Sequence, residues 1–331
     1  MAGDGDDGSA DISDALLYSF IFVVNVLLAF VVGFLGVVFN LINVVTFIKM
    51  GLSDNTNISL LSLAVADIGV SLTMIGYSVV YNPLILEATP IDLIRAVNYT
   101  IQGSCHILFS RIAGCLTAFI TVERFLCIAF PLHVRAIVTP RRTSSVVVFI
   151  YAFLTVCTIP FYVANQIGQR YDQDSNRTTY GLVVAPNADH LEGFTLTVNS
   201  VAQMTSFALV VVSTLGLIRS LLKVSRWRSS ASSCSSHQEV RVRENQLVKM
   251  TLLIAAVFIA CSLPTVVGNL AMLFLKDFNI KGRSKNIFVF MFVIFFMLDS
   301  INSTINMFIY IKMSSKFKVQ LISCCKRTMK Q

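Results

Sequence analysis

The sequence predicts an all-α membrane protein, a seven-transmembrane helix bundle with a short amphipathic eighth helix. Three observations carry this. Only 13% of the 331 residues are charged and 55% are hydrophobic, whereas a soluble domain has about a quarter charged. Seven apolar runs each reach the ~20 residues needed to cross a bilayer. The basic residues fall in short tracts between those runs, mostly on one side of the alternation.

The runs lie near 18–48, 58–81, 96–129, 143–165, 194–222, 246–275 and 287–311. Seven crossings put the two ends on opposite sides. Eighteen of the 26 Lys and Arg lie on one side: Lys49, the stretch Arg124–Arg142, the stretch Arg219–Lys249 and the tail from Lys312. Positive residues stay inside, so the C-terminus is expected in the cytosol and the N-terminus outside. Three parts follow: an extracellular acidic tail (1–17), the bundle (18–311) and a cytoplasmic tail (312–331). The first fifteen residues carry five Asp and no Lys or Arg, the wrong charge for a cleaved signal peptide. The net charge of +8 is spread along the loops and does not read as a nucleic-acid surface. The eight Cys lie mostly in apolar runs or basic tracts, so no disulfide framework follows. No cofactor or metal is expected.

Asn176-Arg-Thr178, in the loop 166–193, is a glycosylation pattern on the expected outer side. Asn98-Tyr-Thr100 also matches, close to the membrane. The segment 224–243 is rich in Ser and Arg and reads as a flexible cytosolic loop, either a kinase target around Arg226–Ser230 or a solubilising linker. After Tyr310, basic and apolar residues alternate at helical spacing through Lys316, Phe317, Lys318 and Leu321, as in a helix lying on the inner membrane surface. Cys324 and Cys325 just beyond are palmitoylation candidates.

Polar residues inside the spans are functional candidates by default. Glu123 and Arg124 stand side by side where the third run ends. They read either as a flanking charge or as a polar latch, closed in one state and open in another. His106 precedes Arg124 by eighteen residues, five whole turns, so both project from one face ~27 Å apart. Arg111 lies between them, and a guanidinium there needs a partner; Asp299 of the seventh span is the candidate. Gln203 of the fifth span joins these as a candidate ligand contact. Asp67 is an isolated carboxylate in the second span. Asp299, Asn302, Ser303, Asn306 and Tyr310 recur at three- and four-residue spacing, on one helical face. That face reads either as helix–helix glue or as the wall of a hydrated cavity. Pro264 interrupts the sixth span's backbone bonding, and Glu244, twenty residues earlier on the same helix, is a second counter-charge for Arg124.

Taken together these residues resemble the rhodopsin-like (class A) family of G-protein-coupled receptors. Glu123-Arg124-Phe125 resembles its Asp/Glu-Arg-Tyr motif, Asn40 its first-span Asn, and Leu63–Asp67 its Leu-x-x-x-Asp. Phe258–Pro264 resembles Phe-x-x-Cys-Trp-x-Pro with Ser262 for Trp, and Asn306–Tyr310 resembles Asn-Pro-x-x-Tyr with Met307 for Pro. Phe317 and the Cys pair match the eighth helix. The departures are specific. Tyr99 holds the place of the family's bridging Cys, and the loop 166–193 has no Cys. The fourth-span Trp and fifth-span Pro are also absent.

The resemblance implies a plasma-membrane receptor without enzymatic activity. Its ligand, a peptide or a small chemosensory molecule, would bind near His106, Arg111, Gln203 and Asp299. Glu123, Arg124, Glu244, Pro264, Asn306 and Tyr310 would form the activation switch, and Asn40, Asp67, Asn302 and Ser303 an intramembrane polar network. Its partners would be a heterotrimeric G protein, kinases, arrestin and the lipid bilayer. The phrasing around Thr121–Leu132 and Tyr171–Leu182 is similar to divergent invertebrate chemosensory-type and neuropeptide-type receptors. The rival reading is a transporter or channel with Asp67, Arg111 and Asp299 along an ion path; it would call for two related halves, and no internal repeat is visible.

Overall fold

The computed structural model describes residues 16, 19–20, 22–130, 134, 138–172, 177–230, 238–274 and 285–328. Side chains are described in these stretches except at 172, 177, 224–230, 238–245, 273, 285 and 325–328. Seven helices are long and apolar enough to cross a membrane: Phe22–Met50, Asn55–Val80, Ile91–Ala129, Pro140–Ala164, Ala188–Lys223, Gln246–Met272 and Asn286–Met313. Each begins and ends within a few residues of expectation, because ~20 apolar residues leave little freedom of placement.

Local signals set several helix starts. Asp54 caps the second span through its carboxylate, which accepts from the Thr56 N–H at 3.1 Å. Thr139 and Pro140 start the fourth. Ser314 separates the seventh span from the tail helix Ser315–Thr328, and its hydroxyl accepts from the Phe317 N–H at 3.2 Å. Phe317 is then fully buried against Phe47 and Tyr310, with ring centroids 5.2 and 5.6 Å away. That contact fixes the tail helix to the first and seventh spans.

The third span is the hub and packs against the second, fourth, fifth, sixth and seventh spans. Its side chains Ile112, Leu116 and Ile120 join Leu63, Met250, Ile254 and Tyr310 in the central core. Close approaches use glycine. A Cβ on Gly33 would stand 2.9 Å from the Ser71 carbonyl, and one on Gly216 would stand 2.7 Å from the Phe125 ring. Phe125, the departure from Tyr in the third-span motif, is therefore seated on the fifth helix.

Two expectations are corrected. The loop 166–193 is largely an antiparallel hairpin, β1 (Asn165–Asp172) with β2 (Arg177–Val184), paired from Asn165–Val184 to Asp172–Arg177. Its residues Thr178, Thr179, Tyr180, Val183 and Val184 are strand formers. The segment 224–243 is mostly helix: the fifth helix runs to Ser230 and the sixth begins at Gln238. No Gly or Pro lies between 217 and 263, so nothing in the backbone stops these helices at the membrane edge. Asn176 lies outside the described residues, as does most of the acidic tail.

Candidate functional site

Four polar clusters lie along the bundle. The first holds Arg111 and Gln203. Arg111 is 7% exposed and Gln203 2%, and an Arg111 terminal N–H donates to the Gln203 side-chain carbonyl, joining the third and fifth spans. The direct pairing of Arg111 with Asp299 is not formed. Asp299 instead accepts from the Ser110 hydroxyl at 2.6 Å, and the two charges attract each other without contact. Ser110, next to Arg111 in sequence, intercepts the carboxylate. A helical wheel gives direction around one helix but not which neighbour reaches across.

His106 is fully buried on the other side of this cluster. Its Nδ1 lies 2.9 Å from the Thr73 hydroxyl, whose hydrogen goes to the Val70 carbonyl at 2.6 Å. Thr73 therefore accepts, Nδ1 carries the proton, and Nε2 is a buried acceptor with no partner. The Phe296 ring covers the imidazole at a centroid distance of 4.4 Å. The inward direction matches the wheel; the second-span and seventh-span neighbours had no signal in the sequence.

The second cluster lies among the first, second and seventh spans. Asn306 donates to Asp67 at 2.8 Å. Asn40 donates to the carbonyls of Gly36 and Ser303 at 3.0 and 3.1 Å, and Asn43 donates to Asn40 at 3.0 Å. The Asn306–Asp67 and Asn40–Ser303 bonds run directly from helix to helix, and the other two lie within the first span. Asn302 is partly exposed and forms none of them; its place between Ile301 and Ser303 turns it off the buried face. Tyr310 is buried with its hydroxyl unpartnered, its ring 5.2 Å from Phe47.

The third cluster is the charged one. Arg124 donates to Glu123 at 2.6 Å, and the Ser59 hydroxyl approaches the other carboxylate oxygen at 3.5 Å. Glu123 is 3% exposed, so it is a buried counter-charge joining the second and third spans. One turn away the Ser213 hydroxyl donates to Thr121 at 3.0 Å, which ties the fifth span to the same place. Pro264 lies inside the sixth helix. The Glu244 side chain lies outside the described residues, so Glu123 is the described partner of Arg124.

The fourth cluster was not foreseen. Glu192, near the start of the fifth helix, accepts from Asn165 at 2.6 Å and from the Tyr99 hydroxyl at 3.3 Å. One carboxylate thus joins the ends of the third, fourth and fifth helices at the root of the hairpin. Asn98 donates to the Tyr81 hydroxyl at 2.7 Å, so its amide is engaged. Among the described residues no three His, Cys, Asp or Glu come together as metal ligands.

The chain was compared with known proteins. The family described as 7 transmembrane receptor (rhodopsin family) matches residues 40–310. The growth hormone secretagogue receptor type 1 of Mustela putorius furo is 25% identical over 302 residues, covering 88% of this chain and 76% of that protein. The receptor of the same name from Homo sapiens is 26% identical over 302 residues with the same coverage. A Caenorhabditis elegans protein named "Probable G-protein coupled receptor B0563.6" is 26% identical over 155 residues, 45% of this chain and 35% of that one. The match takes in both Asn40 and Tyr310 with all the clusters between them, and the chain belongs to the rhodopsin family of seven-transmembrane G-protein-coupled receptors, multi-pass membrane receptors that are not enzymes.

Proposed function

We propose that a ligand reaches this receptor from the hairpin end and that the Arg124 end engages a heterotrimeric G protein. The ligand contacts Arg111, Gln203 and Asp299, with His106 and Phe296 behind them. Binding favours a state in which the sixth helix swings about Pro264 and Arg124 leaves its acidic partners, Glu123 and Glu244. Asn306 and Tyr310 repack in the same step, while Asn40, Asp67 and Ser303 hold the first, second and seventh spans around it. The G protein then performs the nucleotide exchange. In this reading 1–17 is extracellular, 18–311 is the bundle and 312–331 is cytoplasmic, Asn176 carries a glycan, and Cys324 and Cys325 carry acyl chains. Kinases and arrestin act on the cytoplasmic face. The ligand is a peptide or a small chemosensory molecule.

The observation that carries the reading is that one helix holds both ends of the device. Arg111 and Arg124 lie thirteen residues apart in one unbroken α-helical segment, Ser104–Ala129, about 20 Å at 1.5 Å per residue. Each is buried or nearly so beside a partner, and each partner is a group that a second state can exchange.

The test is a ligand screen in cells that report several G-protein pathways and ion flux together. Ligand-dependent G-protein activation that disappears in Arg124→Ala is expected, with raised basal signalling in Glu244→Ala. Ligand-dependent flux without G-protein activation overturns the reading in favour of a transporter.

A further inference from the structure

We infer that the ligand carries a carboxylate and that Arg111 and Gln203 receive it. This rests on the ligand pocket proposed above and names what that pocket selects.

Arg111 is a buried guanidinium whose hydrogen bond is to a neutral amide. Its Nε has no partner, and neither has the Gln203 Nε2. Both are N–H groups, and they sit on two side chains already in contact. The Gln203 carbonyl is taken by Arg111, while its amide nitrogen has no acceptor. A buried donor left unmade is costly, and a buried cation without an anion in hydrogen-bond contact more so. The chain's own carboxylate, Asp299, is held by Ser110 and forms no ion pair with Arg111.

These features specify the missing group. It must accept at least two hydrogen bonds, which excludes an amine. It must carry negative charge, which a hydroxyl or an amide does not. A carboxylate meets both requirements and matches the planar fork of an arginine. Three residues further along the helix, Phe258 and Ser206 close over Gly114. These two side chains bound the pair on the side toward Arg124.

The experiment uses the full-length receptor in lipid nanodiscs and reads thermal unfolding. The probes are straight-chain and aromatic carboxylic acids and short peptides with a free C-terminus, each beside its primary amide. The two sets separate a small organic acid from a peptide terminus as the source. Acids, and not their amides, are expected to raise the melting temperature of the wild type. The apparent affinity of a stabilising acid falls about a hundredfold or more in Arg111→Gln, as for removal of a buried charged partner. It falls less in Arg111→Lys, and it rises in Asp299→Asn, where the repelling carboxylate is gone. Each ligand-induced shift is read against the unliganded melting temperature of the same variant, because Arg111→Gln also loses the Gln203 bond and the attraction to Asp299. That keeps a folding defect separate from a binding defect.

Equal shifts with acids and amides, shifts retained in Arg111→Gln, or no shift from any acid overturns the inference. Acids that bind without ever activating a G protein leave it standing and overturn the receptor reading. An activating ligand with no acidic group, equally potent on Arg111→Gln, does the reverse.

Discussion

Replacing Glu192 with Ala tests whether a single carboxylate anchors the hairpin. Glu192 accepts from Asn165, the first residue of β1, at 2.6 Å and from the Tyr99 hydroxyl at 3.3 Å. The two bonds differ in weight. Asn165 is 1% exposed, so its short bond to a carboxylate is worth ~1.5 kcal/mol, at the lower end for a charged acceptor. The longer Tyr99 bond is exposed and contributes ~0.5 kcal/mol. Their sum, ~2 kcal/mol, lies at the low end of what a disulfide contributes. Tyr99 holds the place of the family's bridging Cys.

The assay is hydrogen exchange of the amides in 165–184, read peptide by peptide. A loss of ~2 kcal/mol raises local opening about thirtyfold. Glu192→Gln keeps the hydrogen-bonding shape and loses the charge, so ~1 kcal/mol and about fivefold are expected. Tyr99→Phe loses only the weaker bond, about twofold. The order Glu192→Ala, then Glu192→Gln, then Tyr99→Phe is the signature, confined to the hairpin and the ends of the third to fifth helices. Hairpin exchange unchanged in Glu192→Ala refutes the clasp. Equal acceleration across all seven spans refutes its local character.

Three further outcomes follow from other contacts. Gly216→Ala places a methyl group 2.7 Å from the Phe125 ring and should cost ~1–3 kcal/mol as overpacking; a lowered melting temperature that Phe125→Leu restores in the double variant checks it. Ser314→Ala removes the hydroxyl that caps the tail helix and should cost ~1 kcal/mol, seen as faster exchange in 315–324 with the spans unchanged. Glycosidase treatment should shift the gel mobility of the wild type and of Asn98→Gln, whose amide is engaged by Tyr81, but not that of Asn176→Gln.

The seven spans were legible because the bilayer is a severe filter: backbone groups in hydrocarbon must bond within their own helix, and the helix must be long enough. The buried direction of His106 was legible for a related reason. The segment Ser104–Ala129 is regular α-helix, so 3.6 residues per turn carry position faithfully from Arg124 back to His106. Just beyond it, Asn98–Gly103 forms a π-helical stretch. The wider turn there breaks the count, so the position of Tyr99 could be numbered but its direction could not.

What stayed hidden in each case was a choice between neighbouring helices. Arg111 and Asp299 are opposite charges within electrostatic reach, and pairing them is the natural reading of one sequence. Their actual partners, Gln203 and Ser110, are neutral, and each was available only once the third, fifth and seventh spans were side by side. Glu192 is the same problem at the hairpin end: one acid near the start of an apolar run, with partners 27 and 93 residues away. Hydrophobic length thus specifies which segments cross the membrane, while polar specificity depends on interhelical distance. An unpaired Arg111 is the product of that second level. Had it met Asp299 directly, the cluster would be closed and self-sufficient. Because Ser110 holds the carboxylate away, the guanidinium keeps an unused donor in the place where the family resemblance expects a ligand.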